Sequence, residues 1–332
     1  MKRRISILLS VVMSSILLMG CSQTSKDMTN SEGKLDNKEI KISAPDGLPS
    51  IALAKLINED IKIKEGYDTK YTIEKTPESL STSVMKEDVD IAIVPSNMAA
   101  IAYNKTSNYQ IAGTVGMGSF YLVSIEDIKE LKDLEECEVG NTGKGLTPDI
   151  TAQAILKDRG VDLEKINFSY VNSVNELVPI LATNKLSTAF IPEPALTGLL
   201  NTNKKIKIIK SLNDEWKEIN NSKEGYPQST IIVKTDFAKE NKEFVDSFIN
   251  QISDSVKWAN TNSDKVGEYA KEIGISIEST IIGKAMERAN LKFVPIKDMT
   301  DDYNDYYKKL FDFDSKSVGG KLPDEGIYFI SK

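Results

Sequence analysis

The chain of 332 residues contains no histidine, which removes the usual general base and the commonest metal ligand together. Ser/His/Asp and Cys/His catalysis are therefore excluded. Cysteine is nearly absent as well, with only Cys21 and Cys137 in the whole sequence. A zinc site would have to be assembled from carboxylates and at most one thiolate, a donor set that suits zinc poorly, so neither a metal nor a cofactor is expected. No Gly-x-Ser-x-Gly elbow occurs, and no Gly-x-Gly-x-x-Gly fingerprint opens a helix. Gly140 to Gly145 imitates a phosphate loop, but Glu138 stands where the first glycine belongs and Gly145 where Ser or Thr belongs. Arginine is scarce, and nothing in the composition points to an enzyme.

Long apolar runs are also missing, apart from one at the amino terminus. There Lys2, Arg3 and Arg4 precede an uncharged apolar stretch from Ile5 to Met19. It is shorter than the ~20 residues a spanning helix needs and is diluted by serines, so residues 1–20 read as a signal peptide. The run Leu18-Met19-Gly20-Cys21 resembles the bacterial lipobox, in which the cysteine is acylated and becomes the first residue. That resemblance implies a chain anchored to the outer face of the cell membrane through Cys21, not one that spans it. Residues 21–38 form a polar tether with nothing to bury. With Cys21 acylated, no intrachain disulfide can form. Cys137, in Glu136-Cys137-Glu138-Val139, reads as a buried, inert thiol on a strand.

Removing the leader takes three positive charges and no negative ones from a net charge of −7. The surplus of acids argues against nucleic acid as a partner. What remains alternates strand and helix, which is an α/β pattern. Strands are expected at Glu39–Ser43, Tyr67–Glu74, Val89–Val94 and Gln110–Val115. The helix after Thr76-Pro77-Glu78 opens with an N-cap, a proline in the first turn and an acid. A second series follows, with strands at Phe120–Ser124, Cys137–Gly140, Phe168–Val171 and Thr188–Ile191 and helices from Thr147, Val174 and Pro194. After one more strand, Ser229–Val233, the tail reads as mainly helical. Residues 241–259 carry Phe244, Val245, Phe248, Ile252, Val256 and Ala259 on one face. The economical arrangement returns this tail to the first lobe. Residues 39–115 and 229–332 then form lobe I and residues 119–211 lobe II, with crossings at 116–118 and 212–228. Two crossings make a hinge, and each lobe can bury its own sheet, so a monomer is expected.

Three segments carry a resemblance: Ala44-Pro45-Asp46-Gly47-Leu48-Pro49-Ser50, Asp90-Ile91-Ala92-Ile93-Val94-Pro95-Ser96-Asn97 and Phe190-Ile191-Pro192-Glu193-Pro194. With the ending Ser317 to Asp324, they are similar to the nitrate/sulfonate/taurine-type substrate-binding proteins. The resemblance implies a type II periplasmic-binding-protein fold, two α/β lobes joined by a two-crossing hinge. It also implies a role as the solute-capturing subunit of an ABC importer, working with a permease and an ATPase. A nitrate-, sulfonate- or taurine-like anion is the favoured cargo, and a neutral heterocycle such as a thiamine pyrimidine precursor is the alternative. An enzyme on the same clamshell, as in yeast-type pyrimidine synthases or some menaquinone-pathway enzymes, and a tethered sensor are the rival classes.

Ligands of open α/β sheets sit beyond the carboxyl ends of the strands, facing helix N-termini. The loops there supply the candidate ligand-binding residues. In lobe I these are Asp46, Gly47, Leu48 and Pro49, then Ser96 and Asn97, which can equally be turn formers and a helix cap. At the hinge stands Ser119. In lobe II, Thr142, Gly143, Lys144, Gly145 and Thr147 make the best candidate anion cradle, with glycines that permit a nest of N–H groups. Lys144 can as well be solvated. Glu193, between two prolines, can receive a ligand amine or bond a donor of the opposite lobe. Phe120, Tyr121 and Tyr226 read as core before they read as ligand-stacking rings.

Overall fold

The computed structural model describes residues 37–330. The expected signal peptide, Cys21 and nearly all of the tether lie outside the described residues. The segment from Asn37 onward is one compact unit. It is built from eleven described strands and twelve described α-helices. In chain order these are β1 (Lys38–Pro45), α1 (Ile51–Asn58), β2 (Tyr67–Glu74), α2 (Pro77–Met85), β3 (Ile91–Pro95), α3 (Ser96–Thr106) and β4 (Tyr109–Met117). Then come β5 (Phe120–Ser124), β6 (Glu138–Thr142), α4 (Thr147–Asp158), β7 (Asn167–Val171), α5 (Val174–Ala182), β8 (Thr188–Pro192), α6 (Ala195–Thr202), β9 (Lys207–Ser211) and α7 (Leu212–Asn220). The chain ends with β10 (Pro227–Lys234), α8 (Thr235–Glu240), α9 (Lys242–Thr261), α10 (Ser263–Glu272), α11 (Ser279–Ala285), β11 (Leu291–Pro295) and α12 (Thr300–Phe313).

Two sheets result. The first has the order β11-β4-β10-β3-β1-β2 and the second β7-β6-β8-β5-β9. β1 is parallel to β2 and β3, while β10 enters antiparallel between β3 and β4. In the second sheet β6 is parallel to β7 and β8, and β5 is antiparallel to β8 and β9. Local chemistry accounts for many boundaries. Thr76 caps α2 by accepting from the Ser79 amide, with Pro77 in the first turn and Glu78 beside it. The apolar stripe of α9 is buried along its length, from Phe244 to Ala259.

The chain leaves the first sheet after Met117 and enters the second at Phe120; it returns at Pro227. The two passages lie side by side. Gly118 N donates to Tyr226 O at 3.1 Å, Ser119 N to Gln228 Oε1 at 2.9 Å, and Gln228 Nε2 to Ser119 Oγ at 3.1 Å. A Cβ on Gly118 would come within 2.2 Å of the Tyr226 ring, so only glycine lets the two passages approach this closely. The stretch 212–228, expected as a crossover, begins as helix α7, capped by Ser211 and packed against β5, β9 and α4. Behind the crossings one apolar core continues from lobe to lobe. Tyr226 stacks on Tyr306 at 5.6 Å and 19°, and Trp216 of α7 meets both rings edge-on.

Cys137 departs from its expected place. Strand β6 begins one residue later, and the thiol is half-buried, donating to the Asp133 carbonyl at 3.1 Å. Burial, followed by the nearby acids Glu126 and Asp133, raises its pKa, which disfavours the reactive thiolate. The tail also contains β11, an edge strand absent from the helical reading.

Candidate functional site

The carboxyl ends of β1, β3 and β8 and the start of α4 line a cleft between the two sheets. The cleft has two chambers, of about 810 Å³ and about 430 Å³, which share Pro49, Pro77, Phe120 and Gln228 as walls. Both volumes fall within the ~300–1,000 Å³ usual for small-molecule sites. The larger chamber lies between the β1–α1 loop and α11 on one side and α5 and α6 on the other. The smaller lies between the start of α3, α12 and the start of α4. Among the described residues that line either chamber, the charged ones are Asp46 and Glu193 alone.

The sequence candidates divide among four environments. Gly47, Leu48, Pro49 and Ser119 line the larger chamber, and Asn97 and Thr147 line the smaller. Asp46 reaches the larger chamber too, but its carboxylate is occupied. It accepts from Ser276 N at 2.9 Å, from Ser276 Oγ, and from Lys75 Nζ at 3.0 Å. Burial by itself would raise the Asp46 carboxyl; the Ser276 and Lys75 contacts outweigh it and hold the pKa below its ordinary value.

Ser96 lines neither chamber. Its hydroxyl is buried and bonds Thr230 Oγ1 at 2.6 Å, within a network that continues through Tyr303 to Thr114. The first turn of α3 turns this side chain inward because β10 lies directly behind it. The expected cradle at residues 142–145 is likewise absent from the linings of both chambers. Asp149, in the first turn of α4, already fills it. Asp149 Oδ2 accepts from Gly145 N, and Oδ1 accepts from Asn141 Nδ2, Gln153 Nε2 and Tyr170 OH, each at 2.9 Å. The Thr142 amide is taken by Asn141 Oδ1 at 2.9 Å. Two of the amides expected for a ligand anion, those of Thr142 and Gly145, are thus engaged by the chain itself. Burial, and then the bond to Asp149, push the Tyr170 phenol well above its usual pKa. Lys144 is exposed, with Nζ 5.3 Å from the centroid of the Tyr170 ring.

Glu193 is buried, and its peptide bond to Pro194 is cis. Oε2 accepts from Thr197 N at 3.1 Å, and Oε1 accepts from Thr197 Oγ1 at 3.0 Å and Arg288 Nε at 2.6 Å. Arg288 follows α11 and so reaches Glu193 from the other side of the cleft. Its partnership leaves no open carboxylate for a ligand amine. Sequence reading missed Arg288 because nothing within 90 residues of Glu193 points to it. It missed Asp149 although a signal existed, an acid at the third position of a helix opened by Thr147-Pro148.

The aromatic wall is the other addition. Phe120, half-buried at the head of β5, faces both chambers. Tyr226, Tyr306 and Met98 line the smaller one. Tyr121 does not reach either; its hydroxyl donates to the Arg288 carbonyl at 2.7 Å. Among the described residues no cluster of His, Cys, Asp and Glu could hold a metal ion, and no helix is long and apolar enough to cross a membrane.

Solved structures share this architecture. An ABC transporter protein from Parabacteroides distasonis superposes with a TM-score of 0.78 at 24% identity, over 89% of this chain and 100% of that one. The periplasmic aliphatic sulphonate binding protein SsuA from Escherichia coli gives 0.71 at 13% identity, over 89% and 93%. The periplasmic nitrate-binding protein NrtA from Synechocystis PCC 6803 gives 0.62 at 12% identity, over 85% and 84%. At these identities the likeness is one of fold, the two-lobed type II periplasmic-binding-protein fold. No curated protein sequence matches the chain. Residues 50–312, well over half of the sequence, match the family described as menaquinone biosynthesis, and the chain belongs to that family.

Proposed function

We propose that the protein is the extracytoplasmic solute-binding subunit of an ABC importer, tethered through acylated Cys21, and that its cargo is an uncharged, largely apolar small molecule. The observation that carries the cargo class is the charge of the cleft. No Lys or Arg is among the described residues lining it, both of its carboxylates are engaged, and Asp149 already takes the Gly145 amide of the loop that an anion would need. A nitrate- or sulfonate-like solute would enter a site without a countercharge, at the cost of its own hydration. A neutral heterocycle or other uncharged ring suits the lining better. Residues 116–118 and the return before Gln228 serve as the hinge in this reading, and lobes 39–115 with 229–332 and 119–211 close on the solute. Closure requires contacts from both lobes, and both chambers have walls from each.

The family description is the observation that favours a second reading, an enzyme on this fold. Against it stands the state of the carboxylates: Asp46 and Glu193 are held by Lys75, Ser276, Thr197 and Arg288, so neither has a free oxygen placed to take a proton from a bound molecule. A thermal-shift screen on the compact unit from Asn37 onward separates the readings. Uncharged aromatic and heteroaromatic compounds should raise the unfolding temperature, while nitrate and taurine should not, and mass spectrometry should recover each ligand unchanged. A ligand at about 100 times its Kd adds roughly 2.7 kcal/mol. Stabilisation by taurine alone would refute the cargo class, and a converted ligand would refute the binding role. Cys21→Ala should abolish fatty-acid labelling of the full chain; labelling that persists would refute the anchor.

A further inference from the structure

We propose that the cleft is a two-part site for a ligand made of a flat ring and an aliphatic arm, with Phe120 as the residue that divides them. This rests on the uncharged-cargo reading and specifies it.

The two chambers differ in chemistry. The smaller is walled by rings, Phe120 and the nearly buried pair Tyr226 and Tyr306, which stack on each other at 5.6 Å and 19°. Stacked rings favour a further ring at ~4.5–7 Å, and Met98 beside them is a soft, adaptable neighbour. Thr147 and Ser229 also line it, and among the described residues neither hydroxyl bonds another side chain, so a ring carrying one hydroxyl or carbonyl finds partners there. The larger chamber lacks aromatic residues other than Phe120. Its apolar wall is aliphatic: Leu48, Val174, Val178, Ala195, Ile277 and Ile281. Of its polar side chains, Ser119 is paired with Gln228, Glu193 with Arg288 and Asp46 with Lys75, and Asn175 at the head of α5 adds one exposed amide. A group entering it gains by leaving water and by dispersion, which is what an alkyl arm can gain.

Phe120 fixes the boundary. Its backbone is held in β5 opposite Pro192, which fixes the Cα from which the ring projects between the chambers. Because Phe120 faces both chambers, a ligand that fills both must run past it. Ring and arm are thereby selected separately, the ring by aromatic faces and hydroxyls, the arm by length.

The test uses the compact unit from Asn37 onward, with N-phenyl-1-naphthylamine as a neutral fluorescent probe. Phenol, 4-propylphenol, 4-pentylphenol and 4-heptylphenol are the competitors. Affinity should rise about fourfold per added methylene while the arm chamber fills. Val178→Lys and Ile281→Lys, which place a charge in that chamber from opposite lobes, should flatten the series and leave phenol itself unchanged. Phe120→Ala should weaken phenol at least tenfold while the longest arms lose less. Two half-buried lysine sites are used so that misfolding of one variant, seen by loss of its cooperative melt, leaves the other to report. Phenols that all bind with the same affinity would overturn the two-part site and leave the uncharged-cargo reading standing. A slope that survives both lysine variants would place the arm elsewhere and overturn it equally. Failure of every phenol to displace the probe would overturn both.

Discussion

Asp149 and Glu193 are both buried carboxylates beside the N-terminal turn of a helix, in the same lobe, and they are held in opposite ways. Asp149 has four donors, all neutral and all from its own lobe. Glu193 takes two bonds from Thr197 beside it and a third from Arg288 across the cleft. A carboxylate satisfied within one lobe stiffens that lobe whatever the other does. One satisfied across the cleft ties its energy to the distance between lobes. With the proposed hinge, the first is a rigid wall and the second a latch.

Removing Asp149 should therefore have the largest effect. Asp149→Ala takes the acceptor from the buried Asn141 amide and the half-buried Tyr170 hydroxyl, while Gln153 keeps its bond to Tyr170 and the exposed Gly145 amide can turn to water; each buried group left unpaired costs about 1–3 kcal/mol. A loss of about 3–5 kcal/mol in urea unfolding is expected, with Asp149→Asn intermediate because an amide oxygen still accepts. A loss below about 1 kcal/mol would show that the loop does not depend on its internal anion.

Arg288→Ala comes next. Uncoupling a buried Glu193 would be severe in a rigid site; on the proposed hinge the lobes part and water reaches the carboxylate. About 2–3 kcal/mol is expected, the scale of a charge-assisted bond, together with a larger radius of gyration in scattering. An unchanged radius with unchanged stability would remove the latch.

The contrast between the two carboxylates also shows what a sequence can disclose. Thr76-Pro77-Glu78 announces its helix because cap, proline and acid lie within three residues, and the α9 stripe announces its buried face by spacing alone. β9, Lys207–Ser211, did not declare itself: it is a short edge strand whose residues are all partly or fully exposed. α7 was read as part of a crossover, although Ser211 caps it and Leu212, Glu215 and Trp216 lie on its buried side. At the site, the loops at Pro45–Pro49, Pro95–Asn97 and Pro192–Pro194 were legible as β–α turns. Which way their side chains face was not. Ser96 turns inward because Thr230 and Tyr303 are behind it, residues more than 130 positions away. Arg288 lies 95 positions from Glu193 in sequence. The filled nest is different, since Asp149 lies only four residues beyond Gly145.

Asp46 sharpens the comparison with a carboxylate of the other lobe, held by Ser276 and Lys75 and less deeply buried. Its pKa is lowered in the fold despite burial, so its contribution is fully present above the unfolded value near pH 4. It is lost as pH falls through the lower folded value. Asp46→Asn should be less stable than the native chain at neutral pH, and the gap should close on acidification below about pH 4. A gap that stays constant to pH 2 would mean that the lost contacts do not depend on the ionised carboxylate.

Lys144→Ala should have the smallest effect, and it tests the comparison at its root. If residues 142–145 were an anion cradle, Lys144 would supply the countercharge, and its loss would weaken an anionic solute by about 1.5–3 kcal/mol. In the structure the cradle already holds Asp149, and the lysine is exposed over the face of Tyr170. An exposed contact of that kind is worth about 0.5–1 kcal/mol. Lys144→Ala should then lower stability by no more than this, with a salt dependence typical of surface charge, and should change the affinity for an uncharged ligand less than twofold. Titration calorimetry with the best ligand from the thermal screen, on the native chain and the variant, measures the difference directly. A tenfold loss would mean that the ligand reaches the loop Asn141–Thr147, and that its donors open towards the cleft when solute is bound.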